Sequence, residues 1–132
     1  MWVELIKWIS FYESSWSPLT RYNESTMGTD PITGLPVYSE GLLQLSYQDS
    51  QWAPYCKFDW AKDKDLHVDD PKKTILNPFN NLDCGMRILA NQIQKRGKIV
   101  LQTGHYWSVL RESGRYSKVS SIVDKVSSFC AK

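Results

Sequence analysis

Glu13 stands between Tyr12 and Trp16, at the end of an apolar stretch. An isolated glutamate is ordinarily a solvated side chain, because Glu is rarely buried. One held against apolar walls resists ionisation, stays protonated near neutral pH and serves as a general acid. Such an acid is what protonates the leaving oxygen when a glycosidic bond breaks. Asp30 and Glu40 are the candidates for a second carboxylate, placed across the reacting ring to activate water. Each also has a structural reading: Asp30 as the turn residue before Pro31, Glu40 as a charge at a helix start.

These residues need elements to hold them. A first helix is predicted over about Trp2 to Tyr12, with Trp2, Leu5, Ile6 and Ile9 on one face and Pro18 helping to end it. Gly28, Pro31, Gly34 and Pro36 mark the stretch from Arg21 to Ser39 as a loop or small hairpin. A helix is expected from Glu40 or Gly41 to about Trp52. The charged, weakly periodic stretch from Cys56 to Leu76 reads mostly as loop. Asn77-Pro78 is a cap followed by Pro in the first turn, opening a helix with Leu82, Met86, Leu89 and Ile93 as its stripe and Gly97 at its end. A short helix over Tyr106 to about Arg111, closed by Gly114, precedes a last amphipathic helix carrying Val119, Ile122, Val123, Val126 and Phe129. The expected fold class is mostly α, one domain over residues 1–132, with a small loop or hairpin insert beside the site.

Three segments share an order and spacing. Glu13-Ser14 comes first; Gly41-Leu42-Leu43-Gln44 follows after the Gly- and Pro-containing insert; Asn81-Leu82 comes next, with Gly85 and Leu89 behind it. Together they resemble the soluble lytic transglycosylase family, which belongs with the goose-type lysozymes to the lysozyme superfamily. The match runs from Glu13 to about Leu110. Glu-Ser alone carries no signal and Gly-Leu-Leu-Gln alone a weak one; the specificity lies in their combination.

The resemblance implies a lysozyme-like helical domain that cuts peptidoglycan at the β-1,4 bond between N-acetylmuramic acid and N-acetylglucosamine. Glu13 matches the catalytic glutamate, and Ser14 the serine that orients acid and substrate. Leu43 and Gln44 match the cleft-lining end of a Gly-Leu-Met-Gln motif, with Leu43 in place of Met, a change of similar volume. Asn81-Leu82 and Gly85 match a packing helix behind the site. Tyr106 is the candidate for a late cleft tyrosine, although its flanks are His105 and Trp107 rather than Ala and Asn; a core tyrosine is the alternative.

Composition narrows the partners. The 132 residues carry a formal net charge of +2, too weak a balance for a nucleic-acid stripe. No apolar run is long enough to span a bilayer. Six Trp and seven Tyr supply a core and a few faces for sugar rings. No cofactor is called for, and neither His67 nor His105 sits at metal-ligand spacing with Cys56, Cys84 and Cys130. Three cysteines in an exported protein suggest one disulfide and one free thiol; Cys56–Cys84 is the first choice, although pairing is not fixed by sequence. The expected setting is periplasmic or extracellular and the expected state monomeric. Glu4 and Lys7 interrupt any signal-peptide core, as in a mature domain cut from a longer precursor.

Several outcomes stay open at this level. An anhydro-forming transglycosylase needs no second carboxylate, whereas a hydrolase does. A non-catalytic wall-binding module and a chitinase-like enzyme are the alternatives. Glu24, Asp30 and Glu40 border the expected cleft with Arg21 the only basic residue between Glu13 and Gln44, so a preference for cationic, N-deacetylated glycan is also expected.

Overall fold

The computed structural model describes residues 1–99, 105–111 and 113–131. Helix α1 (Trp2–Ser14) buries Leu5, Ile6 and Ile9, while Trp2 stays half exposed. It runs two residues further than Tyr12, and Pro18 does not stop it. Ser15 and Trp16 do, with φ of 52° and 61°, and Ser15 N–H donates back to the Phe11 carbonyl. Left-handed backbone at two successive non-glycine residues is a costly way to end a helix. It turns the chain sharply just past Glu13.

The insert is the expected small hairpin. Strands β1 (Arg21–Asn23) and β2 (Tyr38–Glu40) pair antiparallel, with Arg21 opposite Glu40 and Tyr22 opposite Ser39. The expected helix from Glu40 to Trp52 does not form. Glu40 ends β2, and the backbones of Glu40 and Leu45 exchange N–H···O bonds of 2.7 and 3.0 Å around the four residues between them. Gly41 has φ 80° and Gln44 has φ 51°, neither of which fits a right-handed helix. Leu43 and Leu45 are buried at alternate positions, a period of two rather than 3.6. Only Tyr47–Gln51 coils, as a 3₁₀ segment with a reciprocal capping box between Ser46 and Asp49.

Residues 52–76 are mostly turns, with one short helix, α2 (Trp60–Asp63). Helix α3 (Pro78–Arg96) starts and stops as the sequence predicts. Asn77 accepts from Asn80 N–H, Pro78 occupies the first turn, and Gly97 closes it at φ 72°. Its buried face is different: Asn81, Cys84, Gly85, Ile88 and Leu89 face inward and Met86 is exposed. Polar and small residues take the tightest positions, so a purely apolar stripe misplaces the face by part of a turn. Ser108–Leu110 is a 3₁₀ segment where a short α-helix is expected, and α4 (Val119–Cys130) packs on α1. Within α4 only Ile122 is buried; Val123 and Phe129 face outward.

One core joins these pieces: Leu5, Ile6 and Ile9 of α1, Leu43 and Leu45 of the turn, Ile88 and Leu89 of α3, and Trp107. The Cys56–Cys84 disulfide lies within it, as the sequence favours, and Cys130 is free and exposed. The architecture is helix-rich with one two-stranded sheet. Among the described residues no helix is long and apolar enough to cross a membrane.

Candidate active site

The turn Gly41–Gln44 is the hub of the site. Ser14 Oγ lies 2.9 Å from the carbonyl oxygens of Ser10 and Leu42, so its single hydrogen bridges helix and turn. The Trp107 indole N–H donates to the next carbonyl, Leu43, at 2.9 Å. Asn81 holds the turn from behind: its amide donates to the carbonyls of Glu40 (3.0 Å) and Ile75 (2.9 Å), and its oxygen accepts from Leu43 N–H at 2.8 Å. Gly41 is obligatory against Asn81, since a Cβ there would lie 2.3 Å from the amide nitrogen. Consecutive carbonyls thus join Glu13-Ser14 to Tyr106-Trp107, segments far apart in sequence.

Glu13 sits on the last turn of α1. Burial, then the charge of Glu24, raises its carboxyl to about 7, against a smaller opposing effect of Arg111. Among the described residues its Oε1 is buried without a hydrogen-bond partner. An unpartnered buried oxygen costs about 1–3 kcal/mol and is not kept for stability. Glu24 follows β1 and is held by Ser39 Oγ, which donates to its Oε1 at 2.6 Å. Strand parity explains this. Tyr22, Glu24 and Ser39 project from one face of the hairpin, whereas Arg21, Tyr38 and Glu40 project from the other.

On that other face Glu40 is fully engaged. Lys73 Nζ donates to it at 2.5 Å, Arg21 Nε lies 3.3 Å away, and the Arg21 guanidinium stacks on Tyr38 at 3.5 Å. A cavity of about 120 Å³ lies there, lined by Arg21, Tyr38, Glu40 and Lys73 but by neither Glu13 nor Glu24. Asp30 is buried too. It accepts the backbone N–H groups of Ile32 (2.8 Å), Thr33 (3.3 Å) and Gln48 (2.9 Å), pinning the hairpin to the 3₁₀ segment. Both acids proposed from sequence as the second carboxylate are therefore committed to the frame, and the acid whose charge acts on Glu13 is Glu24.

The remaining sequence candidates divide likewise. Leu43, expected in the cleft lining, is 0% exposed and packs on Gly85, where a Cβ would meet its Cδ1 at 2.3 Å. The Ser14 hydroxyl is spent on backbone carbonyls, so it positions the acid rather than a substrate. Gln44 is half-buried and donates its amide to the Thr20 (3.1 Å) and Gly41 (2.9 Å) carbonyls. Tyr106 belongs to the site. Its hydroxyl donates to Asp49 Oδ2 at 2.6 Å, and burial, Asp49, Glu13 and Glu24, in that order, hold the phenol well above its ordinary range.

The chain is similar to Bd0314 DslA, a Bdellovibrio protein. It shares 29% identity with the wild-type structure called form 2, with a TM-score of 0.70. Two variant structures of DslA, each with one glutamate replaced by glutamine, match at 28% identity and TM-scores of 0.71. The replaced glutamates are eleven positions apart. In each case the match covers 93% of this chain and 63% of the DslA chain, so the chain spans less than two thirds of that protein's length. No family model and no curated protein matches.

Beside the fold shared with DslA, Asp49 and Arg111 join the candidate site without any assignment from sequence, and Glu24, which the sequence places only at its border, acts on Glu13. Glu24 is recoverable only from the hairpin register, once Tyr22 is known to oppose Ser39. Asp49 accepts from Ser46 N–H (2.7 Å), Ser46 Oγ (3.1 Å) and Tyr106. Burial raises its carboxyl, partly offset by donors from Tyr106, Ser46 and Trp52. Arg111 donates to the His105 carbonyl at 3.1 Å, and its charge acts on both Glu13 and His105. The Ser46–Asp49 spacing signals their capping box, but nothing in the local sequence signals the Tyr106 bond to Asp49 or the partners of Arg111.

Proposed function

We propose that the chain is a peptidoglycan glycosidase that cleaves the β-1,4 bond between N-acetylmuramic acid and N-acetylglucosamine. The observation that carries the reading is the carboxyl of Glu13, buried, unpartnered at Oε1 and raised to about 7. An acid so placed holds its proton at neutral pH and delivers it to the bridging oxygen as the glycosidic bond lengthens. Glu24 is the second carboxylate. It takes a proton from water as the water oxygen attacks the sugar carbon, so hydrolysis is favoured over anhydro-ring formation. Glu13 and Glu24 are eleven positions apart, the same separation as the two glutamates replaced in DslA. Gln44 and Tyr106 are the contacts for substrate, and the compartment is periplasmic or extracellular.

Mass spectrometry of products from purified cell wall tests the reading. Fragments with reducing N-acetylmuramic acid ends, absent with Glu13→Gln, are expected. Intact wall after prolonged digestion with the wild type would overturn it. Anhydro ends would retain Glu13 and remove Glu24 from the chemistry.

Of the three acids behind the expected attraction for a cationic sugar, Glu40 is paired with Lys73 and Arg21 and Asp30 is engaged by three backbone N–H groups. A preference for N-deacetylated strands then rests on Glu24 alone, against the opposing charge of Arg111, and an exposed carboxylate–ammonium contact contributes only about 0–1 kcal/mol. Initial rates on matched acetylated and deacetylated walls measure it; equal rates would remove the preference and leave the cleavage reading intact.

A further inference from the structure

Trp52 is the residue closing the 3₁₀ segment Tyr47–Gln51, and it is 51% exposed. Its ring lies 5.9 Å from that of Tyr106, tilted by 55°. Tyr106 in turn meets Trp107 edge-on at 5.0 Å, and Trp107 is bonded to the same turn that holds Ser14. Asp49 binds the pair from beneath, accepting the Tyr106 hydroxyl at 2.6 Å and interacting with the Trp52 side chain. Trp52 N–H also donates to the Asp49 carbonyl at 3.3 Å.

Another exposed tryptophan is differently employed. Trp16 donates its indole N–H to the Lys7 carbonyl and packs on Phe11 and Trp8 at 4.9 and 5.8 Å, as part of the α1 surface. Half of Trp52 faces solvent although a neighbouring aromatic and a carboxylate fix its position. A large apolar face held rigid in water costs solvation free energy, and a ligand that covers it recovers that cost.

We propose that Trp52 and Tyr106 form a saccharide subsite, an aromatic ledge on which a pyranose ring of the same glycan strand lies at a distance from the bond cut beside Glu13. The proposal rests on the glycosidase reading. A β-linked pyranose has a flat face of C–H bonds, which packs on the indole face. Tyr106 links ledge to acid, because its hydroxyl points to Asp49 while its neighbour Trp107 is tied to the turn behind Glu13. Asp49 is a positioning residue: it touches no sugar but sets the angle between the two rings.

The test uses the full chain with Glu13→Gln, so that ligand is not consumed, and two probes: the N-acetylglucosamine tetramer and its chemically deacetylated form. Affinity is read by calorimetry and tryptophan fluorescence. Adding Trp52→Ala is expected to weaken the better-bound tetramer by about 2–12-fold, with Trp52→Tyr recovering most of the loss. Asp49→Asn should change the fluorescence response on binding more than the affinity. Near-ultraviolet circular dichroism and thermal melting check that each variant folds; Trp52, half in solvent, should tolerate truncation.

Unchanged affinity in Trp52→Ala, or no binding of either tetramer, would overturn the subsite. Wall digestion by the wild type separates the two ideas. Cleavage with binding indifferent to Trp52 keeps the glycosidase and rejects the ledge. Binding that depends on Trp52 without any cleavage keeps the ledge and rejects the glycosidase.

Discussion

Trp107 donates its indole hydrogen to the carbonyl of Leu43 at 2.9 Å, across 64 positions of sequence. Leu42, one residue earlier, receives the hydroxyl of Ser14. The helix that carries the acid and the segment that carries Tyr106 are thus fastened to adjacent peptide groups, with Asn81 as the third fastening. Replacing Asn81 by Leu leaves the buried Leu43 N–H and the Ile75 carbonyl without partners, and leaves the Glu40 carbonyl with Leu45 N–H alone. The expected loss is about 3–5 kcal/mol in urea unfolding. Trp107→Phe removes one bond and should cost less, about 1–3 kcal/mol. A smaller loss for Asn81→Leu than for Trp107→Phe would contradict the hub role of Asn81.

Glu13 gives a pH signature of known sign. Its carboxyl is raised from 4.5 to about 7 in the folded chain, so the folded state holds the proton more tightly than the unfolded one. This contribution to stability is complete below about 4.5 and is lost as pH rises through about 7. Glu13→Gln removes the loss. The variant should therefore gain stability over the wild type between pH 5 and pH 8, by up to about 3 kcal/mol, while cleavage falls by about 10²–10⁴-fold. Wild-type cleavage should decline on the alkaline side with a midpoint near 7. Parallel melting curves of the two proteins at every pH would refute the shift.

Lys73 and Glu40 are both nearly inaccessible to water, so removing Lys73 leaves a buried carboxylate with only the longer Arg21 contact. Lys73→Met should destabilise by about 3–5 kcal/mol. The double replacement with Glu40→Leu should recover much of this, and wall cleavage per folded molecule should survive it. Complete loss of cleavage in a folded double variant would return Glu40 to the chemistry.

Much of this was legible in the sequence because local signals agree with the fold. Asn77-Pro78 and Gly97 bound α3 through capping chemistry that needs no tertiary partner, and the Gly and Pro residues of the insert announce a hairpin. Gly41 to Gln44 misleads for a tertiary reason. Its Leu-Leu-x-Leu pattern suits a helix, but Asn81, 38 positions from Leu43, supplies hydrogen bonds that a tight turn can use and a helix would waste. The place of each carboxylate of the insert is a matter of parity. Composition is blind to which strand face a residue takes; the Tyr22–Ser39 register puts Glu24 on the face opposite to Arg21 and Glu40.

The disulfide closes a loop with a sequence separation of 28. Reduction, or Cys56→Ser with Cys84→Ser, should cost roughly 2–4 kcal/mol of stability, since the bond restricts the unfolded chain. Thiol titration of the denatured, unreduced protein should find Cys130 alone. Three reactive thiols in protein made under oxidising conditions would exclude the bond.

The double fastening of Leu42 and Leu43 also orders events in time. A chain growing from its amino end carries Glu13 before the second fastening of the turn beside it, which waits for Trp107. Until then the bond to Leu43 has no donor, Tyr106 is absent, and neither Asp49 nor Trp52 has its aromatic neighbour. Glu13 on a nascent chain is an ordinary solvated carboxylate, ionised and inert as an acid. The frame around Glu13-Ser14 is therefore complete only once the chain has been made through Trp107.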